Sequence, residues 1–183
     1  MKKLISLAAI ASLFIISQVS AVTWDFTGHS GEQASSFDIF DTTGAQFLTV
    51  SGNANVFWGA KGLGLKSGLN NQIDNKNVDD VLKLDFLTSI FVRSFTIKGQ
   101  DGNDRVWTKV DGGSWTNSGI VANNTPVAVD QNASVMKFSQ GRSSVGQQGY
   151  YLSSITVPDT GSTLALLGLG LLGMAFARRR FSK

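Results

Sequence analysis

The chain has 183 residues, with 16 lysines and arginines, 13 aspartates and glutamates, one histidine and no cysteine. That length suits one domain of ordinary size. Without cysteine there is no thiol nucleophile, Cys-rich zinc site, disulfide framework or lipobox. The formal net charge of +3 belongs to the ends, because Lys2, Lys3, Arg178, Arg179, Arg180 and Lys183 are all terminal. The middle keeps ten basic against twelve acidic residues and no basic run, so nucleic acid is not an expected partner.

The chain opens like a secretory signal peptide. Lys2 and Lys3 form a positive start, Leu4 to Ser17 an apolar stretch, and Val19-Ser20-Ala21 a small-residue cleavage site. Cleavage between Ala21 and Val22 is expected, so residues 1–21 form the signal and Val22 the mature start. The apolar stretch is short for a membrane span, which favours cleavage over anchoring.

Residues 22–156 read as all-β. Short alternating or apolar runs are separated by Gly, Asn, Asp and Ser clusters, and helical periodicity is scarce. The expected strands are Thr23–Phe26, Phe37–Phe40, Gln46–Val50, Asn55–Trp58, Leu82–Phe86, Ile90–Ile97, Arg105–Val110, Ser134–Phe138 and Tyr150–Val157. Turn signals stand at Gly99 to Asn103, Asp111-Gly112-Gly113 and Gly141 to Gly149. Eight or more short strands in about 135 residues predict a two-sheet β-sandwich, jelly-roll-like in order.

Few side chains in this middle suggest catalysis. His29 is the one histidine and Glu32 the one glutamate. Gly28-His29-Ser30-Gly31-Glu32 misses the Gly-x-Ser-x-Gly elbow at its last position. Gly59 to Ser67 misplaces the lysine of a phosphate loop and sits in β-hairpin context. The expectation is a domain that is not an enzyme. Asn70, Asn71, Asp74, Asn75, Asp79 and Asp80 crowd one stretch. Asn71, Asp74, Asp79 and Asp80 are the candidate ligands of a structural calcium, although Asp and Asn equally populate ordinary turns. No other cofactor is implied. Asp101 to Asp104 reads as a hairpin turn. Of Trp24, Trp58, Trp107 and Trp115, at least half belong in a core; Trp115, next to glycines, is the one expected to be exposed to a sugar.

The C-terminal 27 residues have three parts in order: Val157-Pro158-Asp159-Thr160-Gly161, an apolar run from Leu164 to Ala177, and Arg178-Arg179-Arg180. Fourteen residues make a helix of about 21 Å, against a hydrocarbon core of about 30 Å. Such a helix suits a transient hold on the membrane, with the arginines kept cytoplasmic. This arrangement resembles the PEP-CTERM class of sorting signals, in its variant with Val-Pro-Asp-Ser/Thr-Gly. The resemblance implies an exosortase, a membrane-embedded transpeptidase, acting at Val157, Pro158, Asp159, Thr160 and Gly161, with the arginines as the stop. It also implies the secretion machinery and an inner-membrane precursor, released or re-attached at the cell surface or in extracellular polysaccharide. The same five residues resemble the Leu-Pro-x-Thr-Gly signal of Gram-positive sortases, but Val stands for Leu and the spacer before the helix is missing. Gly62-Leu63-Gly64-Leu65, Ile73-Asp74, the run Asp80 to Phe86 and Val110-Asp111-Gly112 are similar to patterns in β-sandwich ectodomains of PEP-CTERM proteins. That likeness implies fold and not ligand. Two functions follow as expectations: a structural or adhesive matrix protein, or a carbohydrate-binding module, calcium-dependent in one form.

Overall fold

The period-two pattern of the middle region folds into ten β-strands, in a computed structural model that describes residues 21–41, 43–67, 71–74, 79–99, 105–141 and 149–158. They are β1 (Ala21–Asp25), β2 (Glu32–Phe40), β3 (Gln46–Gly59), β4 (Gly62–Lys66) and β5 (Ile73–Asp74), then β6 (Leu82–Lys98), β7 (Arg105–Val110), β8 (Thr116–Ile120), β9 (Val127–Ser139) and β10 (Gly149–Pro158). No helix occurs among the described residues. The all-β expectation therefore holds. Thr23–Val157 forms one compact unit; Met1–Val22 with Pro158–Lys183 counts as a second, of which Ala21, Val22 and Pro158 are described.

The strands follow the order β1-β10-β4-β3-β6-β9-β7-β8, with β2 added on β3 and β5 on β10. Two strands are longer than their sequence suggests. Gln46–Val50 and Asn55–Trp58 are halves of β3, and Leu82–Phe86 and Ile90–Ile97 are halves of β6. The intervening Ser51-Gly52-Asn53-Ala54 and Leu87-Thr88-Ser89 carry turn-like or polar residues, yet the backbone stays extended. These are the places where each strand changes neighbours. The first half of β3 pairs with β6, Leu48 opposite Phe86 and Gly52 opposite Leu82; the second half pairs with β4, Asn55 opposite Lys66 and Trp58 opposite Leu63. The far half of β6 pairs with β10, Phe95 opposite Ile155. Since β10 also meets β4, the four strands β3, β4, β10 and β6 close a hydrogen-bonded circuit. Strand β8 escapes the sequence reading because Thr-Asn-Ser-Gly-Ile lacks an apolar face, which the last strand of a sheet does not need.

The inward faces meet in one core. Leu48, Val50, Leu82, Leu84, Ile97, Met136, Phe138 and Leu152 are fully buried, and Phe95 meets Phe138 edge-on at 5.1 Å between centroids. Each such side chain contributes roughly 1.5–3 kcal/mol by leaving water. Several polar groups near the core are paired. Thr96 Oγ1 lies 2.7 Å and 2.6 Å from the hydroxyls of Ser153 and Ser154 at a bulge in β10, and Tyr150 donates its hydroxyl to the Ser139 carbonyl at 3.0 Å.

The Gly62-Leu63-Gly64-Leu65 pattern has a direct cause. Leu63 and Leu65 are fully buried, while the glycines let other backbone approach. A Cβ on Gly62 would stand 2.2 Å from the Leu152 carbonyl oxygen, and one on Gly64 would stand 1.9 Å from that of Asn71. Gly62 also has a φ of +129°, which side chains other than glycine resist. Gly62→Ala is therefore predicted to cost about 2–4 kcal/mol in urea denaturation, against less than about 0.5 kcal/mol for Gly112→Ala, whose Cβ would meet nothing within 4 Å. Equal stability of the two variants would refute the close-approach account.

Candidate functional site

The sequence-predicted sorting residues stand at the end of β10. Val157 is 6 % exposed and takes part in the buried interior, and Pro158 is half-buried at the strand's last position. Asp159, Thr160, Gly161, Arg178, Arg179 and Arg180 lie outside the described residues, as do the signal peptide up to Ser20 and the expected C-terminal helix. Among the described residues no helix is long and apolar enough to cross a membrane. Ala21 and Val22, either side of the expected signal cleavage, open β1 and are exposed. Strand β1 neighbours β10, and the Thr23 and Thr156 hydroxyls meet at 3.1 Å.

The four calcium candidates divide into two environments. Asp74 and Asp80 are buried, at 5 % and 0 % exposure, while Asn71 and Asp79 are half-buried. Asp80 continues the inward row of Leu82, Leu84 and Phe86 by one further step, so its carboxyl group is buried with them. There its Oδ2 accepts from the Ser67 hydroxyl at 2.6 Å and from the Asp74 backbone N–H at 3.2 Å, and its own N–H donates to the Asp74 carbonyl at 3.0 Å. This is a clamp on the loop between β5 and β6. Burial pushes the Asp80 carboxyl above its usual range; the bonds from Ser67 and Asp74 oppose that, and the charges of Asp74 and Asp79 add to it. The other oxygen, Oδ1, is buried with no hydrogen-bond partner. Among the described residues no three carboxylate, imidazole or thiol side chains converge.

His29 stacks on Trp58 at 3.7 Å between ring centroids, with Nδ1 3.6 Å from Glu32 Oε1. Trp58 in turn donates its indole N–H to the Phe26 carbonyl at 2.7 Å, and Trp24 stacks on Phe47 at 3.6 Å. Trp24 and Trp58 therefore brace the core, as half of the tryptophans were expected to do.

The other two tryptophans meet in an open groove of about 410 Å³, lined by Asp79, Val81, Trp107, Trp115, Ser139 and Gly141. Its construction follows from strand register. Trp107 stands opposite Ser139 on β9 and Asn117 on β8. Asp79 and Val81 lie on the approach to β6, held extended by Asn53, which donates to the Asp79 carbonyl at 2.8 Å and accepts from the Val81 N–H at 2.9 Å. Gly141 lies against Trp107, where a Cβ would come 2.6 Å from the indole nitrogen. Trp115 immediately precedes Thr116, which pairs with Thr108, and is 38 % exposed. Two indoles with a carboxylate and a hydroxyl between them suit a ligand that is apolar on its faces and polar on its rim.

The turn bearing Trp115 is pinned by Asp111. This residue has a φ of +48°, donates its N–H to the Val135 carbonyl at 2.8 Å, and accepts from the N–H groups of Ser134 and Val135 at 2.9 Å and 2.8 Å. Val110-Asp111-Gly112 is thus a docking turn onto β9. Sequence reasoning singled out Trp115 but missed Trp107 and Ser139 as its companions, because only strand register brings them together. Asp111→Ala is predicted to lose about 1–3 kcal/mol of stability through the two orphaned N–H groups and to broaden Trp115 fluorescence, read in a Trp24→Phe/Trp58→Phe/Trp107→Phe background. An unchanged denaturation midpoint would remove Asp111 from this role.

Comparison with known proteins bears on the C-terminal end. Residues 156–181 match a family model described as the VPDSG-CTERM motif. No curated protein and no solved structure gives a significant match to the chain. The match includes Val157 to Gly161 and all three arginines, with Thr160 where the model's name has serine. A signal of this class implies processing by an exosortase and a secreted, surface-directed product. Residues 156–181 are a sorting signal of the PEP-CTERM type, in its VPDSG form.

Proposed function

We propose that this is an exported, exosortase-sorted protein whose β-domain serves, without catalysis, at the cell surface or in the extracellular polysaccharide matrix. The observation that carries the reading is the sorting signal joined directly to the last core strand, with Val157 common to both. A signal peptide cleaved between Ala21 and Val22 would leave β1 at the mature start. The precursor would hang from the inner membrane by the apolar run of residues 164–177, with Arg178, Arg179 and Arg180 inside. The match to the VPDSG form favours an exosortase over a cell-wall sortase. The strand circuit and single core support a two-sheet sandwich of jelly-roll-like order for residues 22–156. Intact mass spectrometry of the protein from cells and from medium is predicted to find a species beginning at Val22 and ending near Thr160, with Pro158→Ala/Asp159→Ala blocking the C-terminal cut. A mature species still carrying Lys183 would reduce the tail to an anchor.

The groove favours carbohydrate binding as the second reading, because indole faces are a usual platform for sugar rings and Asp79 and Ser139 line the same groove. Trp115→Ala is predicted to weaken retention on immobilised polysaccharide at least tenfold with little change in stability, since its indole is exposed. A glycan array without binding, with and without calcium, would sink it.

A further inference from the structure

Although the domain as a whole carries more acid than base, register gathers part of its positive charge beside the groove. On β6, β9 and β7, Lys83 stands opposite Lys137, and Lys137 opposite Lys109. The next pairing on the same face of the sheet places Trp107 opposite Ser139, two residues along from Lys109 and Lys137. Trp115 precedes the Thr116–Thr108 pair and so comes level with Lys109. One face of the sheet therefore carries a row of three lysines adjoining a row that contains an indole, with a second indole at the outer end.

The arrangement is costly for a free domain. Directly opposed residues have Cβ atoms about 4.5–5.5 Å apart, and like charges at that spacing repel. Lys83 is relieved by Asp85, to which its ammonium donates. Lys109 and Lys137 have no carboxylate partner among the described residues. The nearby Asp111 carboxylate is engaged by the N–H groups of Ser134 and Val135. All three lysines are half-buried, as long side chains are when their stems lie along a sheet.

We propose that the groove takes a polysaccharide that carries carboxylate groups, its rings resting on Trp107 and Trp115 and its carboxylates pairing with Lys109 and Lys137. The proposal rests on the carbohydrate-binding reading and adds the ligand's charge. A neutral sugar would leave two ammonium groups beside it unpaired, whereas a uronic-acid chain brings a carboxylate at regular intervals and relieves the repulsion along the row. A nucleic acid fits less well, because a row of three lysines is short against a continuous phosphate backbone.

The test uses the full chain in detergent and three immobilised probes: polygalacturonate, the same polymer with its carboxyl groups reduced, and double-stranded DNA. Polygalacturonate is expected to bind tightest and to weaken as salt rises. The double variant Lys109→Gln/Lys137→Gln is expected to lose about tenfold on polygalacturonate and nothing on the reduced polymer. Its thermal midpoint should equal or exceed the wild type's, because repulsion is removed; Lys137→Gln alone serves if the pair fails to fold. Equal binding of the acidic and reduced polymers would overturn the proposal and leave the carbohydrate reading intact. DNA bound as well as polygalacturonate would also overturn it, as a generic polyanion surface. Binding to neither polysaccharide would overturn both.

Discussion

The pairing of β6 with three other strands is the constraint on which the rest of this domain depends. Along its seventeen residues β6 meets β3, β9 and β10, so it belongs to the closed circuit and to the β6-β9-β7-β8 extension at once. Its alternation sets Leu82, Leu84 and Phe86 inward and leaves Lys83 and Asp85 outward. A slip of one residue would exchange these two sets and place a lysine and an aspartate in the core. The same slip would undo the outer face, because the lysine row and the groove exist only in this register. Hydrophobic burial thus fixes where the side chains of the groove and the lysine row stand.

The residue that precedes β6 on its inward side shows how that register is defended. Asp80 extends the inward row of β6 but carries a fully buried carboxyl group, which reaches Ser67 after β4 and the backbone of Asp74 in β5. A hydrocarbon at this position would leave the loop untethered. The carboxylate ties three segments together at the cost of desolvation, which also raises its proton affinity. Asp111 does similar work from the outside, taking two backbone N–H groups of β9. Both residues belong to stretches whose pattern is recognisable in the sequence, and both act as tethers for loops that flank the groove.

Much of the fold was legible and less of the site was. Leu82-Lys83-Leu84-Asp85-Phe86 announces its strand by strict alternation, and the strand assignments from Phe37 to Val157 fall within real strands. The continuity of β3 and β6 was hidden, because Ser51-Gly52-Asn53 and Thr88-Ser89 have loop chemistry; Ser51 is held between Ser36 and Lys83 on the two neighbouring strands, whereas Thr88 and Ser89 fall at a register shift between β6 and β9. Such neighbours are tertiary facts, and local propensity does not contain them. The sorting signal was legible in full, since its parts are contiguous: a motif, an apolar run and arginines in order. The lysine row was invisible for the opposite reason. Lys83, Lys109 and Lys137 are scattered through a net-acidic stretch, and a count of charges along the chain averages them away.

Val157 links the two halves of the molecule's work. As the last inward residue of β10 it is nearly buried, and as the first residue of the sorting motif it must be available to a processing enzyme. Stripping one valine from a core costs roughly 1.5–3 kcal/mol, which a protease-like grip on an extended chain can supply locally. Recognition that begins at Pro158 would leave the fold untouched, and Pro158 itself offers no backbone N–H for β10 to lose. The proline therefore stands at the point where strand pairing can stop without an orphaned donor. A domain built in this way can stay folded to its last core residue while the chain beyond is handed to the membrane.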